Sequence, residues 1–391
     1  MGRMLVWLLG AVLALGAAAP VAAEDFTIGY LQLSQDSRYA KKRTYARLLL
    51  EPLGRPYSGA RVAIDEAKFH GAAVGVTFKV KRHKGKGALG LLEGVNKLSA
   101  DGVRFFVVDA PADVLSELAW ATAGRDLLLF NITAREDRLR QDQCQEHLLH
   151  VIPSFAMLTD ALVQYLITRK WREILVLEGT SDDDRELAAA FARSAKLYGA
   201  EIVESRPFVL GNDPRQRDQN NITLLTTGAD YDVVFVADTD GEFARDVPFQ
   251  TARPRPVVGS EGLGAAAWHW AWERHGAPQL ENRFQDRAKR PMRDIDWAAW
   301  MAVKAVAEAV QRTGSKDFAV LRDYLRGPDL VLDGFKGNRL NFRPWNNQLR
   351  QPILLVTHNW VVERAPMKGF LHQTNNMDTL GFNETNSGCR F

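Results

Sequence analysis

Short runs of β-branched and aromatic residues alternate with longer stretches carrying apolar residues at helical spacing. That alternation confines the chain to parallel sheets with crossover helices. The extended runs are Phe26 to Leu33, Val76 to Val80, Phe105 to Val108, Leu127 to Phe130, Ile174 to Leu177, Val233 to Val236 and Val257 to Val258. Between them, Ala60 to Phe69, Leu89 to Leu98, Val114 to Ala121, Thr159 to Arg169 and Arg185 to Tyr198 read as helices. The rhythm occurs twice. A chain of 391 residues, 46% of them hydrophobic, exceeds the roughly 250 to 300 residues that one core usually serves, so two α/β domains are expected. The end of the chain breaks the rhythm: Ile353 to Val356 and Trp360 to Val362 flank the turn-forming Thr357-His358-Asn359 and predict a hairpin.

The first 23 residues read as an export signal. Arg3 supplies the positive start, Leu5 to Ala18 an apolar run too short to span a bilayer, and Val21-Ala22-Ala23 a small-residue cleavage site before Glu24. The exported chain is expected in a periplasm without membrane insertion. Without Arg3 it carries 49 basic residues, one fewer than the 50 of the whole, against 47 acidic ones. So small an imbalance makes no field suited to nucleic acid or a membrane surface. Cys144 and Cys389 are the only cysteines, and in an oxidising compartment they are expected to form a disulfide that ties down an Asn-, Thr- and Gly-rich tail.

The order of pieces resembles a known class. Thr27-Ile28-Gly29-Tyr30 precedes a helix beginning Gly59-Ala60-Arg61-Val62, Val257-Val258-Gly259-Ser260-Glu261-Gly262 follows a strand, and Asn341-Phe342-Arg343-Pro344 introduces the terminal hairpin. This is similar to the type I periplasmic substrate-binding proteins of ABC importers, the branched-chain amino-acid receptor class. Trp268-His269-Trp270-Ala271-Trp272-Glu273-Arg274, Asp296-Trp297-Ala298-Ala299-Trp300, Leu325-Arg326-Gly327-Pro328-Asp329-Leu330 and the Cys389-Arg390-Phe391 terminus resemble its branch associated with PQQ-dependent alcohol dehydrogenase systems. The resemblance implies a two-lobed α/β fold, each lobe a mostly parallel sheet flanked by helices, joined by three hinge crossovers. Lobe 1 would take 24–153 and 264–330, lobe 2 would take 154–263 and 331–365, and 366–391 would form an irregular tail. It also implies an ABC permease as partner. The chain departs from the amino-acid receptors at Ser34 to Tyr39, which opens a charged insertion running to Pro56 and points the search for a ligand elsewhere.

Ligands in open α/β sheets sit outside the carboxyl ends of strands. That rule nominates Gln35, Asp36, Arg38, Asp109, Arg135, Thr180, Asp183, Asp238 and Glu261. Five of the ten tryptophans fall between Trp268 and Trp300. If Trp268 and Trp272 share a helical face, Trp270 points elsewhere, so Trp268, Trp270 and Trp297 are expected to offer at least one ring to the cleft. Tryptophan with arginine fits a flat aromatic polyacid, and PQQ is the leading ligand expectation. A receptor for a small organic acid or amino acid is the alternative in the same class. A periplasmic chaperone or sensor of a PQQ-dependent dehydrogenase is the alternative from another class. Asp238-Thr239-Asp240-Gly241-Glu242 opens like a calcium loop but lacks the later ligands. No nucleophile elbow, zinc-binding His pair or phosphate-cradling loop occurs, so neither a catalytic cofactor, a metal nor enzymatic chemistry is expected.

Overall fold

The computed structural model describes residues 24–40, 54–210 and 214–391. The expected export signal, 1–23, and 41–53 of the charged insertion lie outside the described residues. In chain order the first part contains β1 (Glu24–Leu33), α1 (Tyr57–Ala73), β2 (Val76–Gly85), α2 (Gly87–Ala100), β3 (Phe105–Asp109), α3 (Ala112–Ala121), β4 (Leu128–Asn131) and β5 (Leu148–His150). The second contains α4 (Phe155–Thr168), β6 (Glu173–Glu178), α5 (Asp182–Tyr198), β7 (Glu201–Pro207), α6 (Ile222–Leu225), β8 (Val233–Ala237), α7 (Val247–Gln250), β9 (Val257–Gly259) and β10 (Gly264–Ala266). The last contains α8 (Ala277–Ala288), α9 (Asp294–Thr313), α10 (Phe318–Arg326), β11 (Leu332–Asp333), β12 (Arg339–Leu340), β13 (Ile353–Thr357) and β14 (Trp360–Ala365).

Each lobe is built on a parallel sheet, ordered β2-β1-β3-β4-β5 in the first and β7-β6-β8-β9 in the second. The apolar runs explain why. All five residues of β3 and all five of β8 are buried, as strands covered by helices on both faces must be. Alternation then sorts the side chains. Tyr30, Phe105 and Val107 face the core under α1 and α9, while Leu31, Phe106 and Val108 face α2 and α3. Several helices begin at side-chain caps, as Ser154 starts α4 and Asp317 starts α10. Ser181 accepts from the Asp184 amide and Asp184 returns the bond, a reciprocal cap that starts α5, and Gly199 closes it in the left-handed region at φ 73°.

The expected hairpin is present and has a role of its own. β10, β13 and β14 form an antiparallel sheet whose alternate residues serve both lobes: Leu354 packs into the first core, Ile353 and Leu355 into the second. The chain changes core at 151–154, 263–267 and 349–353. The expected return to lobe 2 at residue 331 therefore needs correction. Leu332, Leu340, Phe342 and Leu349 are buried in the first core, because β11 and β12 pair only with each other and lie against α9's lobe.

The tryptophans also correct an expectation. The segment from Trp268 to Trp272 is a series of turns, so no helical face separates these rings. Trp268, Trp272, Trp297 and Trp300 are all buried in the first core. Each indole N–H finds an acceptor: Glu281 for Trp268, the Phe335 carbonyl for Trp272, the Gly334 carbonyl for Trp297 and Glu66 for Trp300. One core holds four indoles because residues 331–342 enlarge it and satisfy two of their donors.

The tail after Pro366 is irregular, as expected, yet firmly seated. Arg343 is buried and gives Nε to Asp378 at 2.8 Å and Nη2 to the Met377 and Leu380 carbonyls. Asp160, also buried, accepts from Arg193 and from the Gly381 amide. Cys144 and Cys389 are joined with Cα atoms 5.7 Å apart. Thiol titration of denatured, unreduced protein should find no free thiol. Reduction should remove less than the roughly 5 kcal/mol that chain entropy allows for so long a loop, because Arg343 still holds the tail. In urea unfolding, Trp297→Ala should cost about 3 to 5 kcal/mol, and a cleft ligand should bind the surviving folded fraction unchanged.

Candidate functional site

Between the two lobes, at the carboxyl ends of both parallel sheets, lies a cavity of about 1060 Å³. The first lobe contributes Arg38 from the turn after β1, Pro111 and Ala112 from the start of α3, and Thr133, Arg135 and Arg138 from the segment after β4. The second contributes Asp182, Asp183 and Glu186 from α5, Asp238 and Thr239 after β8, and Ser260 after β9. Gly259 lets β9 turn here. Its φ is 106°, and an added Cβ would stand 2.5 Å from the Val236 carbonyl. Phe155, Leu158 and Leu162 on one face of α4, with Phe235, supply an apolar floor.

The first wall is organised by a buried carboxylate. Asp109, fully buried, accepts from Arg38 Nη2 at 3.1 Å and from the Tyr39 hydroxyl at 2.8 Å, and Arg55 Nη1 stands 3.7 Å away. Burial pushes the Asp109 carboxyl up, against the pull of Arg38. Arg38 also grips Asp36 through Nε and Nη2. These bonds leave Arg38 Nη1 without a partner among the described residues, on a guanidinium that lines the cavity. The N-terminus of α3 opens beside it with no side-chain cap from Pro111, so its first amide donors lack intrahelical acceptors.

Four arginines and seven carboxylates line the cavity. Arg135 pairs with Asp294 and hydrogen-bonds the Pro153 carbonyl. Arg138 pairs with Asp113 and, across the cleft, with Glu186. Arg185 pairs with Asp182 and the Thr180 carbonyl. Desolvation raises the Asp183 carboxyl, and the charges of Asp184 and Asp182 add to it. Desolvation likewise raises Glu186, with Arg138 opposing it, and Asp238, with backbone amides opposing it.

Of the residues nominated from sequence, Arg38, Arg135, Asp183 and Asp238 line the cavity, and Asp36 and Asp109 stand behind Arg38. Gln35 is exposed outside it. Thr180 and Glu261 do not line it; Glu261 is occupied with the neighbouring Gly262 amide. Trp268 and Trp297 are core, and Trp270, 43% exposed, lies on the outer surface. The strand-end rule missed Glu186 and the α4 floor, because these belong to helices. The spacing of Phe155, Leu158 and Leu162 at i, i+3 and i+7 was the available signal.

The hinge beneath the cleft is polar and buried. Lys336, with no exposed surface, donates Nζ to the Ala267 carbonyl at 2.9 Å, Gln351 Oε1 at 2.6 Å and the Pro352 carbonyl at 3.0 Å. Its ammonium lies 3.8 Å from the Trp297 ring centroid. Gln351 Nε2 then reaches the Val151 carbonyl at 2.7 Å. One side-chain pair thus ties all three crossovers. Burial pushes the Lys336 amine well down, while three acceptors match the three N–H groups of its charged form. Lys336→Met should lower urea stability by about 3 to 5 kcal/mol and raise amide exchange at the crossovers more than in β3 or β8.

No protein-family model matches the chain, and no curated protein matches it. Solved structures do. An ABC transporter substrate-binding protein from Sphaerobacter thermophilus superposes with a TM-score of 0.71 at 16% identity, over 92% of this chain and 100% of that one. An amino acid ABC transporter substrate-binding protein from Pseudomonas fluorescens Pf-5 gives 0.69 at 15%, over 95% and 100%. A solute-binding protein of an ABC transporter from R. palustris, in complex with benzoate, gives 0.64 at 11%, over 93% and 99%. The chain has the two-lobed α/β fold of these substrate-binding proteins.

Proposed function

We propose that this chain is a solute-binding protein that captures a small carboxylate-bearing molecule, an amino acid or organic acid, between its lobes and delivers it to an ABC permease. The interlobe cavity at the carboxyl ends of both sheets carries the reading, since that is where such folds receive ligands. Arg38 Nη1 and the open start of α3 offer donors for a carboxylate on the first lobe. Ligand contacting both walls would favour the closed arrangement by its differential affinity. The reading asks no bond-making chemistry of the cleft.

Residues 1–23 then act as the export signal that places the protein in the periplasm. Among the described residues no helix is long and apolar enough to cross a membrane.

The cavity favours a small solute over PQQ on two counts. Its tryptophan-free floor offers Phe155 and Phe235 rather than a broad indole platform. Its arginines are each engaged by carboxylates of the chain, which leaves little to neutralise a polyacid. The outer Trp270 lies apart from this cavity, and no feature of the cleft argues for a dehydrogenase partner.

Isothermal titration at low salt with L-leucine, L-arginine, benzoate, succinate and PQQ tests the reading. At least one of the small carboxylates should bind with micromolar Kd and raise Tm, since ligand at 100 times Kd adds about 2.7 kcal/mol of stability. Arg38→Lys should weaken it about tenfold through loss of the planar fork. Binding of PQQ alone, or of no small carboxylate at millimolar concentration, would overturn it.

A further inference from the structure

One aromatic ring in the cavity wall belongs to no core. Phe155 opens α4, where its amide donates to the Arg135 carbonyl at 2.9 Å, and its half-buried ring lines the cavity. The rest of the floor is packed from behind. Leu162 and Phe235 are part of the second core, Leu158 leans on it, and Phe235 stacks on Phe191 with ring centroids 3.6 Å apart. Phe155 joins none of the apolar clusters among the described residues. A ring held at a cleft wall without a core behind it is stabilised by whatever apolar surface comes to cover it.

The charges around this ring select against an ammonium. Asp294 is held by Arg135, Asp182 by Arg185, and both Asp113 and Glu186 by Arg138. Asp238 Oδ2 accepts from the Phe243 and Ala244 amides at 2.8 Å. Glu136 stands in the field of Arg138 and the buried Arg140, and Asp183 in that of Arg138. An ammonium drawn into the cleft would therefore give up water without a carboxylate free to receive it. The positive side differs. Arg38 is held from behind, with Nε and Nη2 on Asp36 and Asp109, and presents its Nη1 edge to the cavity. A second anionic group on a ligand would have to displace a carboxylate from Arg135, Arg138 or Arg185.

Resting on the receptor reading above, we propose that the solute is a monocarboxylate with an apolar body and no ammonium, an aryl or alkyl acid, and that Phe155 sets this preference. Its carboxylate meets Arg38 on the first lobe, and its body covers Phe155 and the Leu158, Leu162 and Phe235 floor on the second. Such a molecule spans the cleft, with each end matched by the wall it touches.

The test uses probes that differ only in the α-ammonium: hydrocinnamate against L-phenylalanine and isocaproate against L-leucine, with succinate as the dicarboxylate. Titration calorimetry and thermal shift on the intact protein are the readouts. In at least one pair the acid should bind at least tenfold tighter than its amino acid and than succinate. Phe155→Ala should weaken that acid about tenfold or more, while the unliganded Tm falls far less than in Trp297→Ala, because the ring belongs to no core. Phe155→Leu separates the two members of the class: loss of hydrocinnamate with isocaproate retained identifies an aryl acid bound on the ring, and tighter isocaproate in both proteins identifies an alkyl acid. If either amino acid or succinate binds as tightly as the acids, the apolar monocarboxylate is overturned and the receptor reading stands. Unchanged affinity for the acids in Phe155→Ala overturns it equally. Failure of all five probes at millimolar concentration removes the receptor reading and this inference with it.

Discussion

One buried ammonium sits where the two lobes meet. Lys336 gives its three N–H groups to the second and third crossovers, and Gln351, which accepts one of them, passes the link on to the first. Three extended segments that leave one core for another bring backbone carbonyls into a region without water, and each must find a donor. A lysine reaching in from the β11–β12 segment is an economical donor, since one side chain serves three acceptors. The Trp297 ring, beneath the ammonium, helps offset its desolvation. The cost of burying that charge is met only while the crossovers keep their places, so the interaction defines the hinge as much as it stabilises it.

The rest of the architecture follows from this junction. The antiparallel sheet of β10, β13 and β14 lends alternate residues to each lobe, while Trp360 and Glu363 of β14 face solvent. Two rigid parallel sheets joined by such a strap can change their separation while keeping their cores. The cleft they enclose is crossed by Arg138 and Glu186, a pair near solvent that can open at small cost. The tail closes the back of the assembly through Arg343 and Asp378, and through the Cys144 to Cys389 link.

The cleft itself is a study in internal neutralisation. Arginine-rich segments after strand ends look like anion sites when read along the chain. In space Arg135 is matched by Asp294, 159 residues away, and Arg138 by Glu186, 48 away, while the buried Arg140 gives its donors to an amide oxygen and backbone carbonyls. Charge sign in a binding cleft is a property of the assembled pairs, and linear proximity of like residues does not report it.

The amino-acid sequence by itself determined the α/β class, the repetition of the βα rhythm, the terminal hairpin and the cysteine pairing. Each depends on local periodicity, on turn chemistry or on there being a single pair to make. It also located the strand ends, and with them Arg38, Arg135, Asp183 and Asp238 at the cavity. Tertiary structure alone decided the rest. Whether Trp268 and Trp297 pack or face a ligand depended on Glu281 and the Gly334 carbonyl, 13 and 37 residues distant. Whether 331–349 joined the first or second lobe depended on which core had room for Leu332 and Phe342. An aromatic ring or a guanidinium has the same local signature in a core, at a surface or in a cleft; its role is settled by partners that only folding brings within hydrogen-bond reach.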